Sequence, residues 1–225
     1  MYSIWLCPKP SQSEDLQKTI DHLAQKHKPA PTFPPHVTFF SGIDTSVPLE
    51  QVKATLKTGL IRWSNECELA AFEDKAEPTL KLPLGLPTAG EFFFQAIIQP
   101  VTQDLTVPAE PSLVEPDTTL SADAPKRTAY EALVKGRQIL EQVFDKKPSK
   151  PYFPHLSLMY SEKKQDELQG IADGEFAVPG ADEEGKLQVV EEVELTTVTI
   201  VACVGKTEEW KEVARFDLEG NEVKQ

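Results

Sequence analysis

The stretch Tyr152-Phe153-Pro154-His155-Leu156-Ser157-Leu158-Met159-Tyr160 decides how this chain is read. At strand period, His155 and Ser157 point to one face and Leu156 and Leu158 to the other. One face can bury itself while the other presents an imidazole beside a hydroxyl. The same order stands far upstream in Phe33-Pro34-Pro35-His36-Val37-Thr38-Phe39-Phe40: aromatic, proline, histidine, aliphatic, hydroxyl, apolar. Two such strands, one in each half, predict a symmetric cleft with a histidine and a hydroxyl on each wall.

The surrounding pattern supplies the frame. Tyr2 to Cys7 alternates as a strand that stops at Pro8, with Ser3, Trp5 and Cys7 sharing one face. Ser11 or Ser13 is placed to cap a helix from Glu14 to Lys26 with Leu16, Ile20 and Leu23 as its apolar stripe. Pro29, Pro31, Pro34 and Pro35 form a stiff connector that ends against His36. Pro48 opens a second helix on Leu49, Val52, Leu56 and Leu60. Glu66 to Phe72 and Thr79 to Leu84 read as two antiparallel strands around a turn, and Glu91 to Gln99 as an apolar strand. Thr102 to Pro125 is rich in Pro, Asp, Glu, Ser and Thr and reads as a linker or surface insertion. Asp123 and Pro125 introduce a helix running to Phe144. Beyond the second histidine strand, Lys163 to Ile171 reads as a short helix. Leu187 to Val190, Val193 to Val204 and Val213 to Leu218 read as strands.

Each half therefore runs helix, Pro-rich turn, histidine strand, helix, antiparallel strands. Helices packed on antiparallel sheets predict an α+β fold. The expected unit is a single two-lobed domain over 1–225, with 102–125 as its acidic linker or loop.

Composition narrows the function. The chain has 225 residues, with 23 Lys+Arg against 36 Asp+Glu, a formal net charge of -13. Gripping long nucleic acid through its phosphates needs a cationic field, so no long nucleic acid is expected as a partner. Cys7, Cys67 and Cys203 lack CxxC spacing and read as reduced thiols, which fits a reducing compartment. The first residues lack the basic and long apolar regions of a signal peptide. No apolar run approaches the roughly 20 residues of a membrane helix. A soluble, cytoplasmic monomer with no membrane partner is expected.

The paired strands carry the chemistry. Imidazole, with an unperturbed pKa near 6.5, can both give and take a proton around neutrality. Across a cleft, one histidine can take the proton of an attacking water while the other protonates a leaving alkoxide. The hydroxyls of Thr38 and Ser157 can donate to the non-bridging oxygens of a phosphate held between the walls. Two hydroxyls and one imidazolium suit a monoanionic diester. With one histidine per strand and no carboxylate or cysteine beside it, no metal site and no cofactor is expected. His22 and His27, on the first helix and at its end, read as solvated.

His36-Val37-Thr38 and His155-Leu156-Ser157, one in each half, resemble the paired signature of the 2H phosphoesterase superfamily. The start Trp5-Leu6-Cys7-Pro8 and the stretch Pro35-His36-Val37-Thr38 are similar to the fungal and plant cyclic phosphodiesterases. The resemblance implies a bilobal fold and metal-independent hydrolysis of a cyclic phosphate, with His36 and His155 catalytic. The substrates it implies are ADP-ribose 1'',2''-cyclic phosphate, left by tRNA splicing, and nucleoside 2',3'-cyclic phosphates, opened to the 2'-phosphate. Thr38 and Ser157 would hold the substrate, joined by Tyr160, three residues after the second hydroxyl, and by Trp5 as a stacking aromatic. Two other readings stay open: a 2H enzyme that processes or joins RNA ends, and a non-catalytic nucleotide-binding module.

Overall fold

The computed structural model describes residues 1–69, 78–103, 128–146, 151–177 and 183–224. The acidic stretch read as a linker falls almost wholly outside them. In chain order the elements are β1 (Tyr2–Pro8), α1 (Pro10–Lys26), β2 (Val37–Ile43), α2 (Leu49–Cys67), β3 (Leu80–Pro83), β4 (Thr88–Ala89), β5 (Ile97–Pro100), α3 (Ala129–Val143), β6 (His155–Met159), α4 (Gln165–Glu175), β7 (Glu192–Ala202) and β8 (Lys211–Asp217). Short 3-10 turns stand at Phe93–Gln95 and Thr207–Glu209. The fold is α+β.

The strands make one antiparallel sheet in the order β3-β7-β1-β2-β6-β5-β4, with β8 also on β7. β3 takes residues 192–195 of one β7 edge and β8 takes residues 197–202 of the same edge, because β1 fills the other. The sheet divides where β2 meets β6, through the single pair Val37↔Leu156. The two strand groups do not follow the two halves of the sequence. β7 and β8, last in the chain, stand on the β1 side, β7 paired with β1 and β8 with β7, while β5 pairs with β6 and β4 with β5. Local pattern cannot reveal such an exchange, since any antiparallel partner satisfies a strand's alternation.

Alternation sets which face is buried. Ile4, Leu6, Val37, Phe39, Leu156, Leu158, Val198 and Ile200 are buried in one core with Val52, Leu56, Leu60 and Trp63 of α2 and Leu133, Ile139 and Leu140 of α3. α2 and α3 pack tightly: the Trp63 indole N–H donates to the Ala132 carbonyl at 2.7 Å. A Cβ added at Gly136 would meet Phe39 at 2.5 Å and Trp63 at 2.7 Å.

Beyond Val37, the carbonyls of β2 are satisfied by side chains. Tyr152 Oη donates to the Thr38 carbonyl at 2.9 Å, Arg137 Nη1 to Phe39 at 3.1 Å, and Lys146 Nζ to Ser41 at 3.2 Å. The Arg137 guanidinium lies 4.7 Å over the Phe40 ring and 5.3 Å over Tyr152. Such donors satisfy backbone groups that would otherwise invite another strand, and they hold the first histidine strand against α3.

Several local expectations are corrected. α1 starts at Pro10, not Glu14, with Pro at its first turn and no side-chain cap from Ser11 or Ser13; proline's fixed φ suits that position. Glu66 and Cys67 are helical, so no strand begins at Glu66. There the i,i+4 pair from Arg62 and the Lys135–Glu66 ion pair at 3.1 Å favour helix; residues 70–77 lie outside the described part. Among the described residues β3 pairs with β7. Phe92 to Gln95 is a turn, and only Ile97–Pro100 is a strand. Three consecutive phenylalanines cannot all face one core, and Phe92 and Phe94 are exposed. α3 is capped by Thr128 with Glu131 in a capping box; the start expected at Asp123 and Pro125 lies outside the described residues. Leu187 to Val190 forms no strand, only an isolated bridge from Leu187 to Phe176. His22 and His27 are not free in solvent: with Lys26 they converge on the nearly buried Glu175 carboxylate, at 3.4, 2.9 and 2.9 Å respectively.

Candidate active site

Both histidines are set by the proline before them. Pro cannot donate to the ladder and holds the residue ahead of it extended. The preceding carbonyl then lies alongside the imidazole. His36 Nδ1 donates to the Pro34 carbonyl at 2.7 Å, and His155 Nδ1 donates to the Phe153 carbonyl at 2.8 Å. The two contacts are equivalent, each to the residue two before the histidine. They fix the tautomer, leaving Nε2 of both rings as the basic atom.

The register brings the two motifs together. In an antiparallel pair centred on Val37↔Leu156, His36 lies alongside Ser157 and His155 alongside Thr38. The two aliphatics point into the core and the four polar residues point away from it.

The electrostatics of the rings are set by burial. His36 is 2 % exposed. Loss of water lowers its pKa to about 3, against the raising effect of the Pro34 carbonyl, and the charge of a protonated His155 pushes the same way. His155 is less enclosed and is also lowered, again mainly by burial, with the Phe153 carbonyl opposing. Both imidazoles are neutral near pH 7 in the free protein.

An aromatic wall surrounds His36. Trp5 stacks on it at 3.6 Å between ring centroids, tilted by only 7°. The Trp5 indole N–H donates to Ser3 Oγ at 2.9 Å. Tyr160 Oη stands 3.4 Å from His36 Nε2 and, with Nδ1 already donating, is the donor to it. Tyr160 stacks on Phe33 at 3.7 Å. Trp5 and Tyr160 are each 3 % exposed. Both thus line His36, each with one face taken by another ring, Trp5 by His36 itself and Tyr160 by Phe33. Ser157 Oγ donates to the Phe94 carbonyl at 3.1 Å.

Sequence reasoning missed three contributors. Phe33 backs Tyr160, and Phe94 and Trp210 come from two separate turns to lie 5.7 Å apart. Phe94 is 5.3 Å and Trp210 6.4 Å from Tyr160. The Phe92-Phe93-Phe94 run was the available signal for Phe94, but it reads as a buried strand. Nothing near Trp210 marks it. Lys146, just beyond α3, is committed to β2 carbonyls. Among the described residues no group of three or more His, Cys, Asp or Glu is placed to hold a metal ion, and no helix is long and apolar enough to cross a membrane.

The profile of the family described as "Cyclic phosphodiesterase-like protein" matches residues 1–218. Solved structures with a similar fold include E. coli LigT complexed with 3'-AMP, at 15% identity and TM-score 0.45, covering 96% of each chain. Another, a structure described as a phosphoesterase, has 12% identity and TM-score 0.45, again covering 96% of each chain. No curated protein matches significantly.

Proposed function

Because this chain belongs to the cyclic phosphodiesterase-like family of the 2H phosphoesterases and is a phosphodiesterase, we propose that it opens small cyclic phosphates by water attack between His36 and His155. The proposed substrates are ADP-ribose 1'',2''-cyclic phosphate, giving ADP-ribose 1''-phosphate, and nucleoside 2',3'-cyclic phosphates, giving the 2'-phosphates. With the first of these substrates, the proposal sets the enzyme downstream of tRNA splicing. The observation that carries the reading is the matched pair of histidine tautomers about the Val37↔Leu156 register.

In this reaction a water oxygen bonds to phosphorus as one ring P–O bond breaks. One Nε2 takes the water proton, and the other, protonated, gives its proton to the leaving oxygen. The bound phosphate supplies the negative charge that raises the depressed imidazole pKa values toward neutrality. Thr38 and Ser157 donate to the non-bridging oxygens. For this, Ser157 exchanges the Phe94 carbonyl for a phosphate oxygen, and Tyr160 releases His36 Nε2. A cytoplasmic location is part of this proposal, in keeping with the free cysteines Cys7, Cys67 and Cys203.

The test is turnover of both cyclic phosphate classes, with and without EDTA, with the products identified. Hydrolysis to the 1''- or 2'-phosphate in the presence of EDTA is expected. Failure to turn over either class overturns the reading.

A further inference from the structure

The face that carries the histidines extends across the sheet as a row. Thr38 is paired with Trp5, Trp5 with Thr199, and Thr199 with Arg215. Opposed residues of antiparallel strands share a face, so the row crosses β2, β1, β7 and β8 in a line. At about 4.8 Å per strand, Arg215 stands about 14 Å of backbone from Thr38, and its long side chain shortens that gap.

A cavity of about 460 Å³ lies over this row, bordered by Trp5, Cys7, Thr197, Thr199, Trp210 and Arg215. That volume suits a small-molecule site. Trp5 borders the cavity and also stacks on His36, so the cavity and His36 share Trp5 as a wall. The Cys7 thiol is bonded to Thr199 and burial raises its pKa to about 11, so it is an inert part of the lining. Among the described lining residues Arg215 alone is cationic. Glu212 takes its Nε and Nη2 at 2.8 and 2.6 Å, two of the five guanidinium donors. Glu212 thereby holds the planar fork in place at the cavity wall.

We infer that this cavity is a second phosphate subsite, in which Arg215 binds a phosphoryl group carried on the far side of the substrate's ribose. The enzyme accordingly favours cyclic phosphates that bear a second phosphate over those that end in a free hydroxyl. This inference rests on the phosphodiesterase reading and sharpens its substrate class. The nucleoside crosses the cavity, the cyclic phosphate sits between the histidines, and the second phosphate meets the guanidinium. A charged, fork-shaped donor suits a phosphate.

The experiment compares adenosine 2',3'-cyclic phosphate having a free 5'-hydroxyl with the same compound carrying a 5'-phosphate. For the wild-type enzyme the ratio of kcat/KM should favour the 5'-phosphate about tenfold, the scale of one charge-assisted hydrogen bond. In Arg215→Gln the ratio should fall to about one. The same ratio is read from binding of adenosine 2'-phosphate with and without a 5'-phosphate, so a failure of turnover counts against the proposed reaction while binding still decides the subsite. A wild-type ratio of one, or an Arg215→Gln ratio equal to that of the wild type, overturns the subsite.

Discussion

Val37 and Leu156 face each other across the one residue pair that joins β2 to β6. Each is the middle residue of its His-x-hydroxyl motif, so the local symmetry of the site passes through this pair. Both are fully buried. Their side chains anchor the two strands from below and leave two histidines and two hydroxyls above. A site divided between two strand groups is thereby held at one fixed point, and a shift of one residue in either strand would turn the histidine into the core.

Replacing either histidine removes one of two proton transfers. His36→Ala and His155→Ala should each lower turnover of a cyclic phosphate by roughly 10²–10⁴, with far-UV circular dichroism unchanged. Near wild-type rates in either variant would contradict the two-histidine reading.

The acid stability of the fold should depend on His36. It stays neutral in the folded protein down to about 3, whereas an ordinary histidine titrates near 6.5. The unfolded chain therefore binds the extra proton in this window. Stability is full above the upper value and falls as the pH drops toward the lower one, by up to about 1.4 kcal/mol per pH unit from this residue. His36→Asn, which cannot titrate there, should show a shallower loss of Tm than the wild type over the same range. An equal slope would show that His36 is not held neutral by burial.

Trp5 keeps water from His36. Trp5→Ala should cost about 3–5 kcal/mol and admit water to the imidazole. The His36 titration followed by NMR should then move up toward the ordinary histidine range, and Trp5→Phe should move it less. An unchanged midpoint in Trp5→Ala would mean that other groups enclose the ring.

Gly136 lets α3 approach Trp63 of α2 and Phe39 of β2. The methyl of Gly136→Ala would meet both rings inside van der Waals contact, a cost of about 1–3 kcal/mol that outweighs the gain in helix propensity. A lower midpoint in urea at unchanged slope is expected. A stabilised variant would mean that the two helices can separate freely.

Glu175 ties the end of α1 to the end of α4. Burial tends to raise its pKa, but Lys26, His27 and His22 outweigh that and hold the carboxyl below its ordinary value. Its contribution is present above the ordinary carboxylate pKa and is lost as pH falls through the depressed one. Glu175→Gln should therefore lower Tm more at pH 7 than at pH 3.

The sequence by itself determined which residues the proposed chemistry is built from. His36, Thr38, His155 and Ser157 were legible because a strand's period of two separates reactive from buried residues, and because the motif occurs twice. The helices were legible through their apolar stripes, although Pro10 and Thr128 set their starts. The tertiary structure decided what depends on distant neighbours. It exchanged β7 and β8 with β4 and β5 between the strand groups, because hydrogen-bonded pairing leaves no mark in a strand's own pattern. It turned the phenylalanine run into a surface turn, brought Phe94 to Trp210, and gathered His22, Lys26 and His27 on Glu175. It also fixed the state of the histidines, since the depression of the His36 pKa comes from burial beneath Trp5, and burial belongs to the assembled fold.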